Sequence, residues 1–338
     1  MWTEEKLNEM LTTPSPALIA DMQALTGDLI VLGAGGKMGP TLCVLAKRAL
    51  QAAKNPARVI AVSRFHDPLV VQLLRENEVE ICSADLLTPG ALDALPDAEN
   101  VIFMAGKKFG TEGNEYATWA MNTWLPSRVA ERYKESRIVV FSSGNLYPKV
   151  PVGSGGATED TPTEPVGEYC MSCQGRERMF EYAAKTFGTR VAIYRLNYAV
   201  DLRYGVLYDM AHNILEGNPI SIETPSFNCI WQGDANEAAL RLLPHASADV
   251  FTLNVTGPET AGVMPTARKL GALLGKEPRF AGTPTETAYL SNAGRMFALF
   301  GYPRVSLEEL IAWQAQWILD GGRALGKPTH FEERKGRY

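Results

Sequence analysis

The sequence has few histidines and cysteines, no excess of positive charge and no long apolar run. Its four histidines stand apart from one another, so no metal site is predicted. Five scattered cysteines, an odd number, are typical of reduced thiols, and we expect a cytoplasmic protein. The net charge of -5 gives no electrostatic reason to expect nucleic acid as a partner. No apolar stretch approaches a membrane span, and the N-terminus lacks the pattern of a signal peptide.

The most informative stretch is a short apolar run that ends in a cluster of glycines. Residues 28–32 are rich in Leu, Ile and Val, which predicts a parallel strand buried on both faces. Residues 40–54 then carry apolar side chains at helical spacing. Between them, Gly33 permits a tight turn, Gly36 lets the backbone approach a pyrophosphate, and Gly39 lets helix and strand pack closely. This order predicts a nucleotide-cofactor site, and the alternative is a turn with only a structural role.

The end of the second predicted strand bears on which nicotinamide cofactor is bound. NAD sites usually place an Asp or Glu there to bond the ribose 2′-hydroxyl. Here residues 58–64 end in Ser63 and Arg64, and a guanidinium pairs with a 2′-phosphate that a carboxylate would repel. Lys37, inside the glycine turn, favours the same interpretation. The predicted cofactor is NADP or NAD, with NADP preferred; two solvated surface cations are the alternative.

Strand-like and helix-like segments alternate along more than half of the chain. Further strands are predicted at residues 79–83, 100–106, 137–143 and 190–197, with helices at 115–133 and 167–186 and an exposed loop at 149–166. This alternation predicts an α/β fold with a doubly wound parallel Rossmann sheet. Ala105 and Gly106 follow the fourth strand, and small residues there let a cofactor lie across the sheet edge.

Three regions are predicted along the chain. Residues 1–25 form an N-terminal helical extension, and residues 26–197 form the NAD(P)-binding Rossmann domain. Residues 198–338 form a smaller C-terminal α/β lobe that binds the substrate. A strand near residues 251–255 is expected to return to the Rossmann sheet, so that the two units are interleaved.

Together and in order, these motifs resemble the extended short-chain dehydrogenase/reductase superfamily, and within it the NAD-dependent epimerase/dehydratase family. The resemblance covers roughly residues 27–320 and implies a homodimer that associates through two helices of each subunit. It also implies cofactor contacts from residues at family positions, namely Gly33, Gly36, Gly39, Asp85, Leu86, Ala105, Gly106, Lys108, Asn122 and Tyr169. The other predicted cofactor contacts are Lys37, Met38, Ser63, Arg64 and Leu196, of which Met38 has a place in the apolar core as its alternative.

The resemblance makes Ser143 and Tyr169 the expected catalytic pair. A hydride leaves a carbinol carbon only as the hydroxyl proton departs, so a base must lie beside that hydroxyl. Free tyrosine, with a pKa of about 10, is too weak an acid for this task at neutral pH. In the family, the nicotinamide and a lysine one helical turn after the tyrosine supply positive charge that lowers the pKa. Ser143 would donate a hydrogen bond to the reacting oxygen.

The chain departs from this pattern at Cys173, which stands where the family has that lysine. A thiol brings no positive charge, so the catalytic set is incomplete. Three interpretations stay open: another cation such as Lys107 or Arg176 compensates, a different proton-transfer route operates, or the protein binds NAD(P) as an inactive regulator or scaffold. Cys170 and Cys173 also form a C-x-x-C pair, which without a second pair predicts ordinary thiols.

A second departure concerns the substrate. Family members that act on nucleotide sugars tend to carry an arginine before the position of Asp234, but residues 225–234 contain no cation. We therefore expect a smaller sugar-like or hydroxy-acid substrate, oxidised, reduced or epimerised at a carbinol or ketone, rather than a nucleotide sugar. The candidate substrate contacts are Asn145, Tyr147, Asn197 and Arg203. A dehydratase is disfavoured because Gly144-Asn145 brings no carboxylate beside the hydroxyl donor.

Overall fold

The computed structural model describes residues 1–110, 112–326, 329–334 and 336. Within them, seven parallel strands form one sheet: β1 (Leu29–Leu32), β2 (Val59–Ser63), β3 (Glu80–Ser83), β4 (Asn100–Phe103), β5 (Arg137–Ser143), β6 (Arg190–Leu196) and β7 (Phe251–Val255). Their order across the sheet is β7-β6-β5-β4-β1-β2-β3. Every residue of β1 and β4 is buried, as expected for central strands covered by helices on both faces. The predicted α/β fold with a doubly wound parallel sheet is confirmed.

Helices precede, connect and follow these strands. They are α1 (Glu4–Thr12), α2 (Pro16–Ala24), α3 (Gly39–Ala52), α4 (Pro68–Glu76), α5 (Glu115–Trp119), α6 (Leu125–Arg132), α7 (Gly167–Phe187), α8 (Val206–Glu216), α9 (Gln232–Arg241), α10 (Val263–Leu274), α11 (Gly294–Phe300) and α12 (Leu307–Leu319). Shorter strands of two or three residues are Val150–Pro151, Ala199–Val200, Pro219–Ser221, Ser226–Phe227, Ile230–Trp231, Ala261–Gly262, Arg279–Ala281 and Thr287–Ala288.

The side chains of the sheet alternate between two apolar cores, because successive residues of a strand point to opposite faces. In β1, Leu29 and Val31 belong to the core formed with α2, α3 and α9. Ile30 and Leu32 belong to the core on the other face, formed with α6 and α7. The chain order of the strands reverses between β1 and β4, and open α/β sheets bind ligands at such a point, outside the carboxyl ends of the strands.

A third apolar core builds the C-terminal lobe around α8, α10 and α12. The N-terminal helix α1 contributes Leu7 and Leu11 to this core, whereas α2 packs Leu18 and Met22 on the sheet side. Strand β7 pairs in parallel with β6, so the chain returns from the lobe to the sheet. The N-terminal helices therefore connect the sheet with the lobe. Among the described residues, no helix combines the length and the apolar character needed to cross a membrane.

A π-helical turn, Ala120–Trp124, divides the helix predicted at residues 115–133. Pro126 lacks the N–H that would bond the carbonyl of Asn122, and the amide of Leu125 bonds the carbonyl five residues before it. Single π-helical turns inside α-helices are frequent at functional sites. This turn presents Asn122 to the backbone that follows β4, as described below.

The loop predicted at residues 149–166 is largely irregular and exposed, with two points of contact to later segments. Val150–Pro151 pairs in antiparallel fashion with Thr287–Ala288, and Ala157 is buried. The carboxylate of Glu159 accepts a hydrogen bond of 2.8 Å from a backbone amide of β7. The sequence did not predict these contacts, because the partners come much later in the chain.

Candidate active site

The glycine turn after β1 has one position that is open to a ligand. Gly33 has a φ of +94°, and a Cβ there would lie 2.4 Å from the amide nitrogen of Ala105. A Cβ at Gly39 would lie 2.4 Å from the carbonyl oxygen of Ala34. At Gly36, in contrast, the nearest atom would be 3.5 Å away. Gly33 and Gly39 are therefore required for packing, and Gly36 leaves space above the turn.

Helix α3 begins directly after this turn, at Gly39. Its N-terminus carries no side-chain capping bond from the described residues, so the first amides of the helix are available to an anion. An uncapped helix end beside an open glycine fits the diphosphate of a dinucleotide. These residues supply the amides and the positive end of the helix dipole that would hold it.

A cavity of about 510 Å³ lies at the carboxyl ends of the central strands. The predicted site residues that line it are Gly33, Gly36, Lys37, Met38, Gly106, Lys108, Ser143, Asn145, Tyr169, Leu196 and Asn197. A neighbouring cavity of about 340 Å³ is lined by the predicted residues Ser63, Arg64, Asp85, Leu86 and Ala105. Gly33, Gly36 and Gly106 line both, so the two cavities form one groove across the sheet edge.

The outer end of this groove carries the residues that bear on cofactor choice. The guanidinium of Arg64 lies 3.8 Å from the carboxylate of Asp85, and both side chains are more than two-fifths exposed. An ion pair this exposed contributes little to stability, so Arg64 is not held in place by it. The arginine is therefore positioned at the groove with its charge available to a ligand.

Asn122 fixes the backbone after β4 instead of facing the groove. Its amide oxygen accepts a hydrogen bond of 2.8 Å from the amide of Lys107, and its amide nitrogen donates one of 2.9 Å to the Lys107 carbonyl. It also donates to the hydroxyl of Ser172 at 3.0 Å. These two hydrogen bonds to the backbone of Lys107 hold the segment that carries Gly106 and Lys108. Lys107 itself does not line the central cavity.

Ser143 and Tyr169 lie on two different elements that meet at the central cavity. Ser143 ends β5, and Tyr169 lies in the first turn of α7. The Ser143 hydroxyl oxygen accepts a hydrogen bond of 3.1 Å from the amide of Asn145, which leaves its proton for another acceptor. Tyr169 is partly exposed and faces the same space. The arrangement places a hydroxyl donor and a phenol around one point.

Cys173 is fully buried behind Tyr169 and does not line the cavity. Burial raises the pKa of the Cys173 thiol, so the thiol stays neutral. Burial also raises the pKa of Tyr169 well above its usual value, and Cys173 raises it further. In the isolated chain, burial and the neighbouring thiol therefore keep the phenol in its protonated form.

Two cations lie near Tyr169. Arg176 lines the cavity and lowers the pKa of Tyr169 by its charge. The ammonium of Lys108 lies 5.8 Å from the centre of the Tyr169 ring, and burial lowers the pKa of this lysine to about 8. The sequence pattern included Arg176 as one of two possible substitute cations beside Tyr169. It included Lys108 only as a cofactor contact, and did not predict that Lys108 also lies near Tyr169.

Two of the four predicted substrate contacts lie elsewhere. Tyr147 is 1% exposed, and its hydroxyl donates to Asn254 at 2.8 Å and accepts from Arg195 at 2.8 Å. Arg203 forms an ion pair of 2.6 Å with Asp201 and a second of 3.0 Å with the N-terminal helix. Neither lines the cavity of Tyr169. The structure thus gives Tyr147 and Arg203 internal partners and does not bring them to this cavity.

The C-terminal segment, residues 329–334, borders the same cavity and was missed by sequence reasoning. The carbonyl of Thr329 accepts a hydrogen bond of 3.4 Å from Lys108, and its amide donates one of 2.8 Å to Asp209 on α8. The carbonyl of Phe331 accepts one of 3.5 Å from Tyr198. In all three hydrogen bonds the segment contributes a backbone atom, which every residue has, so no sequence signal marks the segment.

With this geometry, the chain can be compared with known proteins. Residues 29–253 match the model of the NAD dependent epimerase/dehydratase family. The match spans more than half of the chain, and the protein belongs to this family. It is an NAD-dependent enzyme of the extended short-chain dehydrogenase/reductase type, and the predicted resemblance is confirmed.

Solved structures with the same fold include enzymes of nucleotide-sugar metabolism. UDP-glucuronic acid 4-epimerase of Bacillus cereus, in complex with UDP-glucuronic acid and NAD, is 18% identical with a TM-score of 0.70, over 87% of this chain and 99% of that one. UDP-glucose 4-epimerase of Thermotoga maritima is 17% identical, with a TM-score of 0.72 over 87% and 99%. dTDP-glucose 4,6-dehydratase of Bacillus anthracis, in complex with NAD, is 17% identical, with a TM-score of 0.72 over 87% and 97%. At such identity the likeness concerns the fold. None of the curated proteins compared with the chain matches it significantly.

Proposed function

We propose that the protein oxidises a carbinol, reduces a ketone or epimerises a carbinol carbon of a compact sugar-like or hydroxy-acid substrate. The observation that supports this most directly is that Ser143 and Tyr169 line the same cavity as the open glycine turn. Because these residues come from separate strands and helices, their convergence at the cofactor groove favours a reactive site over a structural one.

When bound, NAD supplies a centre that accepts or returns a hydride. Tyr169 would take the proton of the substrate hydroxyl in oxidation and return it in reduction. Ser143 would donate a hydrogen bond to the same oxygen and hold it beside the phenol. Asn145 and Asn197, which line the cavity, would bind further hydroxyl groups of the substrate and so orient the carbinol carbon.

The size and charge of the cavity support a compact substrate. Its volume of about 510 Å³ has to hold the nicotinamide end of the cofactor as well as the substrate. Pockets of about 300–1,000 Å³ hold one drug-sized ligand, so the remaining space suits a monosaccharide better than a nucleotide sugar. The buried segment from Ser226 to Trp231 brings no cation to pair with a diphosphate.

The substrate proposal is tested with two panels of compounds. The purified protein is first denatured to release and identify any bound nucleotide. The native protein is then assayed with free sugars, sugar acids and hydroxy acids, and in parallel with UDP- and dTDP-sugars, by nicotinamide absorbance and by product analysis. Turnover in the first panel alone supports the proposal. Turnover only with nucleotide sugars, as the compared epimerases would lead one to expect, contradicts it.

We also propose that the protein accepts NADP and that Arg64 supports its binding. We expect Arg64→Ala to raise KM for NADP about tenfold and to leave KM for NAD nearly unchanged, because a charge-assisted hydrogen bond contributes about 1.5–3 kcal/mol and this exposed arginine the lower part of that range. Initial rates with both cofactors provide the measurement. The exposed Arg75→Ala on α4 is the matched control. An unchanged ratio of the two KM values would assign Arg64 to the solvated surface.

We also propose a homodimer formed through the helices that contain α5, α6 and α7. These helices expose large apolar side chains, of which Tyr116 is 76%, Trp124 47% and Tyr182 60% exposed. Such side chains on neighbouring helices are typical of an interface. Trp124→Glu combined with Tyr182→Glu should convert a dimer into a monomer in sedimentation experiments. Leu69→Glu, on α4, is the control that should leave the dimer intact; a monomeric parent protein would refute the proposal.

A further inference from the structure

Tyr169 lacks the lysine that follows it by one turn in the family, so the positive charge beside it has to come from elsewhere. We propose that Arg176 supplies this charge. Arg176 acts through Tyr169, which makes it a positioning residue for the proposed reaction. The inference rests on the proton-transfer role proposed for Tyr169, and it decides between the substitute cations that the sequence left open.

Arg176 lies on the same face of α7 as Tyr169 and Cys173. Arg176 follows Tyr169 by seven residues and Cys173 by three, and residues at these spacings share one face of a helix. Arg176 lines the central cavity together with Tyr169 and Ser143. A Cβ at Gly106 would lie 2.8 Å from a terminal nitrogen of the guanidinium. The guanidinium of Arg176 therefore lies on the helix face where the family has its lysine, about one helical turn after position 173.

Hydrogen bonds hold the guanidinium of Arg176 at both terminal nitrogens. One terminal nitrogen donates to the carbonyl of Phe141 at 2.7 Å, and the other donates to Asn122 at 3.0 Å. Arg176 is 5% exposed, and its Nε has no hydrogen-bond partner among the described residues. A buried N–H without a partner costs about 1–3 kcal/mol, so its retention beside the cavity points to a partner that arrives with the ligand.

The electrostatic surroundings distinguish Arg176 from Lys108. Cys173, Arg176 and Cys170, all on α7, act directly on the pKa of Tyr169. Lys108, whose ammonium lies 5.8 Å from the Tyr169 ring, is influenced in turn by Asp209 on α8 and Glu332 in the C-terminal segment, and Cys173 by Glu177. The phenols of Tyr198 and Tyr289 are influenced by Cys170. Arginine keeps its charge at every relevant pH. Lys108 has a pKa of about 8, so it loses its positive charge as the pH rises above that value. Its ammonium also donates a hydrogen bond to the carbonyl of Thr329. Only Arg176 is a permanent, doubly hydrogen-bonded cation among the described neighbours of Tyr169.

The test measures the ionisation of residue 169 directly. A difluorinated tyrosine, whose phenol is more acidic than that of tyrosine, is incorporated at position 169, and its ¹⁹F shift is followed against pH with and without NAD. Arg176→Met should move the midpoint of this titration to higher pH, and Arg176→Lys should move the midpoint less. The double variant Arg176→Met/Cys173→Lys should have a midpoint closer to that of the parent protein. With unmodified Tyr169, Arg176→Met should lower kcat at neutral pH about tenfold to hundredfold and shift the pH profile upward.

Lys108→Met is the competing variant. An unchanged midpoint in folded Arg176→Met, or a midpoint that moves with Lys108→Met instead, overturns the proposal. If Arg176→Met does not fold, the comparison of the parent protein with Arg176→Lys replaces it, and equal midpoints in those two proteins contradict the inference. The ¹⁹F titration needs no turnover. A protein without activity whose midpoint still responds to Arg176 therefore refutes the proposed function while it supports the charge assignment.

Discussion

Replacement of Tyr169 by phenylalanine is expected to lower kcat by about 10²- to 10⁴-fold, the usual contribution of a positioned acid or base. The affinity for NAD should stay within about twofold, because the aromatic ring remains and the proposed diphosphate site is the glycine turn, on a different element. Stopped-flow measurement of nicotinamide reduction gives the first quantity, and fluorescence titration of the cofactor gives the second.

Tyr182→Phe provides the matched control, since Tyr182 lies on the same helix but is 60% exposed and away from the cavity. Its kcat should equal that of the parent enzyme. Full activity in Tyr169→Phe would contradict the assignment of the acid/base. A parent protein that binds NAD but turns over no compound of either panel would instead favour the alternative of a regulator or scaffold without turnover.

Gly36→Val should lower the affinity for NAD by about 100-fold or more and leave the melting temperature close to that of the parent. A Cβ at Gly36 would lie 3.5 Å from its nearest neighbour, the Gly33 carbonyl oxygen, so we expect the fold to accept a small side chain there. The same side chain occupies the space that the diphosphate needs. The loss of two charge-assisted hydrogen bonds of about 1.5 kcal/mol each is enough for a hundredfold effect.

Gly33→Ala is the contrasting variant at the same turn. With a φ of +94° and a Cβ only 2.4 Å from the nitrogen of Ala105, it should lower the stability of the whole protein. Calorimetry and cofactor titration of both variants separate the two effects. Unchanged NAD binding in folded Gly36→Val would mean that the diphosphate is bound elsewhere.

Local patterns predicted much of the sheet and of the groove. The apolar runs of β1 and β5 and the glycines after β1 are visible within a few residues, and such short-range features specify strands and a strand–turn–helix unit. The division of the helix at 115–133 was also encoded locally, by Pro126, although a π-helical turn is too rare to be expected from it.

The substrate side was less predictable. Polar type alone made Tyr147 and Arg203 look like substrate contacts, but whether a polar side chain meets ligand or protein depends on partners far away in the chain. Tyr147 is bound by Asn254, more than 100 residues later, and Arg203 by Glu4 of the first helix. The same limit concealed the C-terminal segment, which reaches Lys108 through the backbone of Thr329.

Periodicity and turn chemistry in the amino-acid order were enough to specify the parallel sheet, its glycine turn and the family, because each depends on neighbours within a few positions. Long-range packing brought Lys108 near Tyr169 and supplied the hydrogen-bond partners of Arg176. The face of α7 shared by Tyr169, Cys173 and Arg176 follows from helical spacing, but its contact with Asn122 and Phe141 follows from how the helices and the sheet assemble. Charges act over distances in space, and only the folded chain sets those distances.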